Sequence, residues 1–346
     1  MAGAAAQARP QGSVVRTLSP YVAPRWLPGG HLQTLYAALL APYERVSYVR
    51  ERWETPDADF VDVDWVAPLS QGGLERAAAG GPTASPLVVL FHGLEGRSAS
   101  HYAHALMSEV ANAGWTGAVV HFRGCSGAPN RLPRAYHSGD SAELDWMLRR
   151  FRDQHPGPLY AVGVFLGGNA LLKWLGEQRA AAAAVVAGAA AVSAPLDLMA
   201  AGDALGRGFN LVYTHAFLSS LRRKSIAKLE QHPGIYDAAL VRRARTLRAF
   251  DNVVTAPLHG FRDTDDYWTR SSAKPLLRFI TVPTLVVNAR NDPFLPEQSL
   301  PLAHEVSPAV ELDFPEGGGH VGFVSPPFPG NLRWLPRRIL AFFSHA

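Results

Sequence analysis

The most constraining stretch of this chain is Gly163-Val164-Phe165-Leu166-Gly167-Gly168-Asn169. It follows the apolar run Leu159 to Val164, which reads as a buried strand, and precedes Ala170-Leu171-Leu172-Lys173-Trp174-Leu175, which reads as the start of a packed helix. A strand that passes into a helix across Gly-x-x-x-Gly turns so tightly that side chains beside the central residue would collide with it. That frame lifts the central residue out of the sheet, and in enzymes the residue is a nucleophilic Ser, or less often Cys or Asp. Here it is Phe165, which has no nucleophilic atom.

Around this turn, apolar runs and amphipathic helical patterns alternate. Pro86 to Phe91, Thr116 to His121, Leu159 to Val164, a run near Ala184 to Val192, Val282 to Val287 and Val310 to Phe314 read as strands. Helices are expected over Ser100 to Ala113, Ser141 to Gln154, Pro296 to Val306 and from about Leu332. Such alternation predicts a mostly parallel, doubly wound α/β sheet. Arg45 to Trp53 and Asp59 to Trp65 alternate apolar and polar residues, as an antiparallel hairpin with one wet face would. Residues 1–20 read as a mobile tail and Gln71 to Ser85 as a loop. The rhythm breaks at Ser193-Ala194-Pro195, and a helical cap insertion is expected over about 195–280, within one domain over 21–346.

With 47% hydrophobic and 18% charged residues, the 346-residue chain has the make-up of a globular protein with a full core. The net charge of +4 comes without a basic run interleaved with aromatics, so no nucleic-acid partner is expected. The single cysteine, Cys125, excludes an internal disulfide. The N-terminus lacks a charged stretch followed by an apolar one, and the longest apolar run, Ala180 to Val192, is short of the roughly 20 residues that span a bilayer. A cytoplasmic location without a transmembrane segment is the expectation.

Serine-type hydrolysis needs a nucleophile, a histidine to take its proton and a carboxylate to hold that histidine in the right tautomer. Asp292 in Asn-Asp-Pro follows the strand ending at Val287, and His320 in Gly-Gly-His-Val-Gly-Phe follows the strand ending at Phe314. Either alone is an ordinary turn or loop residue. Together, in chain order after Phe165, they form the acid and base of a triad. Two backbone N–H groups are needed for a developing oxyanion. Leu166, after the turn residue, and Leu94 in His92-Gly93-Leu94 are the candidates, with His92 and Gly93 also placed near substrate. Cys125, Ser126 and Ser138 read as loop supports, Arg123 and His137 as supporting residues, and His101-x-x-His104 as a surface pair, so neither metal nor cofactor is expected. Phe209, Tyr213, Phe217, Tyr236, Tyr267 and Trp268 of the cap either line an acyl pocket or form plain core.

His92-Gly93-Leu94-Glu95-Gly96, Phe122-Arg123-Gly124-Cys125-Ser126-Gly127, Arg131-Leu132-Pro133, Tyr136-His137-Ser138-Gly139, the Gly163–Gly168 turn and Gly318-Gly319-His320-Val321-Gly322-Phe323 resemble the YheT-like hydrolases of the α/β-hydrolase superfamily. Gly30 to Thr34, Gly-His-Leu-Gln-Thr, fits as well, and the likeness runs from about Pro24 to the C-terminus. The resemblance implies a cofactor-free Ser-Asp-His carboxylic ester hydrolase acting on small-molecule acyl esters or lipids. It places residue 165, Asp292 and His320 in the triad, with Ser expected where Phe165 stands. Without a hydroxyl there is no acyl-enzyme, and Phe is strained at the positive φ such turns demand. One account is an esterase whose nucleophile has been replaced, favoured by the intact Asp292, His320 and glycines. The rivals are a pseudoenzyme that binds acyl ligands and, for the parent site, an alcohol acyltransferase. Oligomeric state is not legible.

Overall fold

The computed structural model describes residues 19–66 and 85–346. The tail expected over 1–20 and the loop expected over Gln71 to Ser85 lie outside the described residues except at their last positions. Eight strands form one sheet: β1 Val49–Glu54, β2 Phe60–Val66, β3 Leu87–Phe91, β4 Thr116–His121, β5 Leu159–Val164, β6 Gly188–Val192, β7 Thr284–Val287 and β8 Val310–Asp313. Their order is β1-β2-β4-β3-β5-β6-β7-β8, antiparallel where β2 meets β1 and β4 and parallel from β4 to β8. All residues of β3, β4, β5 and β6 are buried, as their unbroken apolar runs demand of a sheet covered on both faces.

The principal helices outside the cap are α1 Gly30–Leu39, α2 His101–Asn112, α3 Ser141–Gln154 and α4 Leu166–Gln178. Between β6 and β7 the chain makes the expected cap: α5 Leu198–Leu205, α6 Asn210–Gln231, α7 Ala238–Arg243, α8 Leu247–Val253, α9 Thr255–Leu258 and α10 Thr264–Ser271. Helix α11, Trp334–Phe343, closes the chain on α2. The winding direction reverses at β3, since β4 lies on one side of it and β5 on the other. Right-handed crossovers then put α2 on one face of the sheet and α3 and α4 on the opposite one. A crevice opens at such a reversal, beyond the carboxyl ends of the two strands. Register pairs Phe91 with Gly163, so the His92–Leu94 turn and the Gly163–Gly168 turn leave the sheet side by side at that crevice.

Four expectations change. The hairpin has no wet face on β2, whose residues are buried except Trp65, while β1 is the exposed edge with only Trp53 buried. Helix α4 starts at Leu166, directly after the turn residue, instead of at Ala170. Strand β6 begins only at Gly188, because a 3₁₀ turn occupies Arg179–Ala184. The helix expected over Pro296 to Val306 is absent; two 3₁₀ turns, Glu297–Ser299 and Ala303–Glu305, take its place. Pro301 has no N–H to donate and forces the residue before it out of the helical region, and Leu300 accordingly has φ −63° and ψ 146°.

Buried polar groups pin the loops that surround the crevice. Asp59, fully buried, accepts hydrogen bonds from the Phe60, Arg131 and Leu132 amides, the Asn130 amide group and Arg123. Burial would raise its pKa, but these donors outweigh burial and hold it at about 2. Arg123 also pairs with Asp57 and Glu143, so the loop after β4 is tied to the β1–β2 hairpin and to α3. His92, with no exposure, joins the ends of β3 and β4: its Nε2 accepts from the Phe122 N–H at 3.2 Å, so its Nδ1–H donates to the Gly93 carbonyl at 2.7 Å.

Burial lowers the pKa of His92 and His259 to about 3 and of His101 and His137 to about 4. Each stays neutral in the folded chain while its unfolded counterpart protonates near pH 6.5. Their stabilising contribution is therefore complete above about pH 6.5 and is lost as pH falls toward the folded values, at about 1.4 kcal/mol per pH unit for each. Glu143 and Asp251, raised by burial to about 7 and about 6, oppose this in part. Four histidines outweigh two acids, so denaturant midpoints should fall on going from pH 7 to pH 5; midpoints that stay level or rise would contradict this balance.

Candidate active site

Phe165 leaves β5 with φ 49° and ψ −114°, its N–H bonded to the Val192 carbonyl at 2.9 Å. The neighbouring glycines enforce that geometry. A Cβ on Gly163 would lie 2.5 Å from the Gly167 carbonyl oxygen, and one on Gly167 would lie 2.5 Å from the Phe91 carbonyl oxygen. No side chain fits at either position. The strained conformation therefore persists under a phenyl ring, at a cost on the order of 1–3 kcal/mol.

The structure brings Phe165, Asp292 and His320 together. The Phe165 ring, only 6% exposed, meets the His320 imidazole edge-on with centroids 4.7 Å apart. His320 Nδ1 lies 2.9 Å from Asp292 Oδ2; a carboxylate only accepts, so the proton sits on Nδ1 and Nε2 is left as the acceptor. The Asp292 side chain has no exposure, and its other oxygen accepts the Phe294 amide N–H at 2.9 Å. Phe294 packs against the imidazole at 4.1 Å and helps confine it.

What holds these two loops is helix α1, whose role the sequence reading missed. Thr34 Oγ1 accepts the His320 N–H at 2.8 Å, and Gln33 Oε1 accepts from Gly318 N–H at 2.7 Å and the Asn291 amide group at 3.0 Å. Asn291 Oδ1 in turn accepts the Gly319 N–H at 3.0 Å. Gly30 is required because a Cβ there would come 1.9 Å from the Asn291 carbonyl oxygen. From the far side, Ser193 Oγ accepts the Val321 N–H at 3.2 Å and the His101 ring faces the Val321 carbonyl at 3.4 Å. His101 and His104 are thus not a surface pair: His104 is buried and accepts the Val46 N–H at 3.2 Å. Among the described residues no cluster of His, Cys, Asp and Glu could hold a metal ion.

Across the crevice, the turn after β3 uses up its amides in turn. Gly93 N–H donates to Tyr102 Oη, Glu95 N–H to Tyr136 Oη and Gly96 N–H to the Gly93 carbonyl. Among the described residues the Leu94 and Leu166 N–H groups have no acceptor, and both residues line the same cavity. His92 and Gly93 do not line it. His92 lies beneath the turn with both nitrogens bonded to backbone, and a Cβ on Gly93 would press on Phe165 Cβ at 3.1 Å. They shape the turn from beneath the cavity's lining.

The cavity has a volume of about 710 Å³ and runs from Phe165 and Leu166 between the loop after β4 and the cap. Leu198, Leu205, Leu247, Phe250 and Val254 give it an apolar wall, and Tyr236, Tyr267 and Trp268 line it while Phe209, Tyr213 and Phe217 do not. Phe217 instead packs on Phe165, and Phe209 is half exposed. Asp292 and His320 are not among the lining residues, whereas Phe165, which packs on the imidazole, is. Lys224 of α6 pairs with Glu95 at 2.8 Å, fastening the cap over the β3 turn. Cys125 and Ser138 also line the cavity, but burial pushes the Cys125 thiol up to about 12, which leaves it no nucleophilic thiolate near neutrality. Among the described residues no helix is long and apolar enough to cross a membrane.

Comparison with known proteins gives this geometry its family. Residues 86–327 match the family model described as the alpha/beta hydrolase fold. YheT of Escherichia coli (strain K12), named as an esterase, is 38% identical over 315 residues, which cover 89% of this chain and 88% of that protein. Phospholipase ABHD3 of Mus musculus is 27% identical, over 88% of this chain and 73% of its own. In three dimensions an esterase of Pyrococcus furiosus superposes with a TM-score of 0.52 over 88% of this chain and 98% of its own, at 14% identity. The chain belongs to the α/β-hydrolase fold family, on the branch whose relatives are named as esterases and lipases.

Proposed function

We propose that this chain is a carboxylic ester hydrolase whose acid, base and oxyanion groups are assembled and whose nucleophile position is filled by Phe165 where the reaction needs serine. The observation that carries the reading is the strained turn at Phe165 set edge-on to a His320 whose Nδ1 is held by Asp292. With a hydroxyl at residue 165, His320 Nε2 would take its proton as the oxygen attacks the acyl carbonyl. The Leu94 and Leu166 N–H groups would stabilise the oxyanion, and the alcohol would leave with the proton from His320. Water, deprotonated by the same imidazole, would then release the acid from the acyl-enzyme. The apolar wall of the cavity suits an acyl chain, in keeping with relatives named as an esterase and a phospholipase.

As it stands the chain forms no acyl-enzyme. One observation favours a second reading, an acyl-ligand binder: the cavity stays open although the reacting position is filled. An alcohol acyltransferase would use the same groups, with an alcohol in place of water.

Three outcomes check the proposal. Phe165→Ser should raise p-nitrophenyl octanoate hydrolysis by at least about a thousandfold over the parent chain, and adding His320→Ala should abolish most of the gain. A folded Phe165→Ser protein without turnover would sink the esterase reading. The same substitution removes a buried ring, so it should lower the unfolding free energy by about 3 kcal/mol in denaturant titrations, less what the relieved turn returns. In the Phe165→Ser protein, free acid should exceed ethyl ester among the products formed in dilute ethanol; the reverse ratio would make the site a transferase.

A further inference from the structure

Among the charged groups that line the cavity, one is an acid without a charged partner among the described residues. Asp251, on α8, lines the cavity beside Phe250, Thr255 and Trp268. Its oxygens take one donor each: Thr255 Oγ1 at 2.6 Å on Oδ1 and Trp268 Nε1 at 2.9 Å on Oδ2. An ionised carboxylate accepts about four hydrogen bonds, so about two of its acceptor positions are unused.

Of the other charges that line the cavity, the acids are paired, while Lys228 donates to the Asn130 carbonyl and Gln231 Oε1, and Arg97 and Arg223 have no acidic partner among the described residues. Lys224 pairs with Glu95, Arg123 with Asp57, Asp59 and Glu143, and Arg134 with Asp140. Among the described residues Asp251 has no such counter-ion. Arg248 of the same helix is spent on Asp203 and Asp265 and lies over the Trp268 ring. Burial holds the Asp251 carboxyl at about 6, so it is ionised at pH 8. A carboxylate set in an apolar wall with neither cation nor full hydrogen bonding is costly unless something in the cavity completes it. A plain alkyl chain completes nothing. A ligand hydroxyl does.

We propose that Asp251 is a specificity-determining residue that accepts a hydrogen bond from a free hydroxyl of the ligand, so that this cavity selects partial esters of polyols over simple alkyl esters. The inference rests on the ester-site reading for the kind of ligand, and a binding measurement frees its test from turnover. The rival role for Asp251 is a brace between Thr255 and Trp268, which would affect every ligand alike.

The experiment is calorimetric titration of the chain as it stands, at pH 8, with glycerol monooctanoate and with ethyl octanoate below their aggregation limits. The glycerol ester should bind at least about tenfold more tightly, the worth of a hydrogen bond to a charged acceptor. Asp251→Asn should bring the two within about threefold, and Trp268→Phe, which breaks the brace but spares the carboxylate, should keep the preference. Equal binding of both esters, binding of neither, or a preference that survives Asp251→Asn would overturn the proposal. Repeating both esters with Phe165→Ser separates the two readings. Discriminating binding without turnover removes the esterase and keeps Asp251; turnover without discrimination does the opposite.

Discussion

The structure turns on the close approach of three backbones at one point: the end of β5, the start of α4 and the end of β3. Gly163 and Gly167 permit that approach, since a Cβ on either would come within 2.5 Å of a backbone atom. Phe165, midway between them, takes a positive φ of 49°. Position 165 is therefore lifted to the crevice whatever its side chain, and Phe165 is held there at the expense of local strain. The same approach sets the Leu94 turn against the Leu166 amide, because both leave strands paired at Phe91 and Gly163.

Much of this was legible in the sequence, for physical reasons. Strands β4 and β5 fall on the expected residues because unbroken apolar runs between turn residues have few other fates in a covered sheet. That Asp292 and His320 come together was legible because each follows a strand whose end the sequence marks. The clamp from α1 was not legible as a mechanism. Gln33 and Thr34 are polar residues on a short helix, and their partners Asn291, Gly318 and His320 lie 258 to 286 positions away. The one clue was Gly30 at the head of that helix, with no local turn to explain it until the Asn291 carbonyl appears against it. The helix over 296–306 failed for a reason that was in plain view, since Pro301 sits inside it. His101 and His104 were misplaced because helical spacing says nothing of whether a face is covered.

The two halves of the site serve different ends. Below the crevice, polar groups are satisfied almost completely: His92 by backbone at both nitrogens, Asp59 by five donors, His320 by Asp292 and Thr34. Such networks keep loops rigid and hold the His320 ring in one orientation. Above it, the cap offers an apolar wall and Asp251, a carboxylate with no counter-ion among the described residues. Phe165 lies where the halves join. Its ring packs against Phe217, Phe294 and His320 and also lines the cavity.

On the proposed reading, Asp292, His320 and the Leu94 and Leu166 amides would serve a serine at residue 165. Intact-mass measurement after treatment with an alkyl fluorophosphonate tests it most directly, since the reagent is attacked only by an activated hydroxyl. The Phe165→Ser chain should gain one phosphonyl group at residue 165 with loss of fluoride, and the chain as it stands should gain none. A folded Phe165→Ser protein that stays unlabelled, or an unsubstituted chain that is labelled elsewhere in the cavity, would contradict the account.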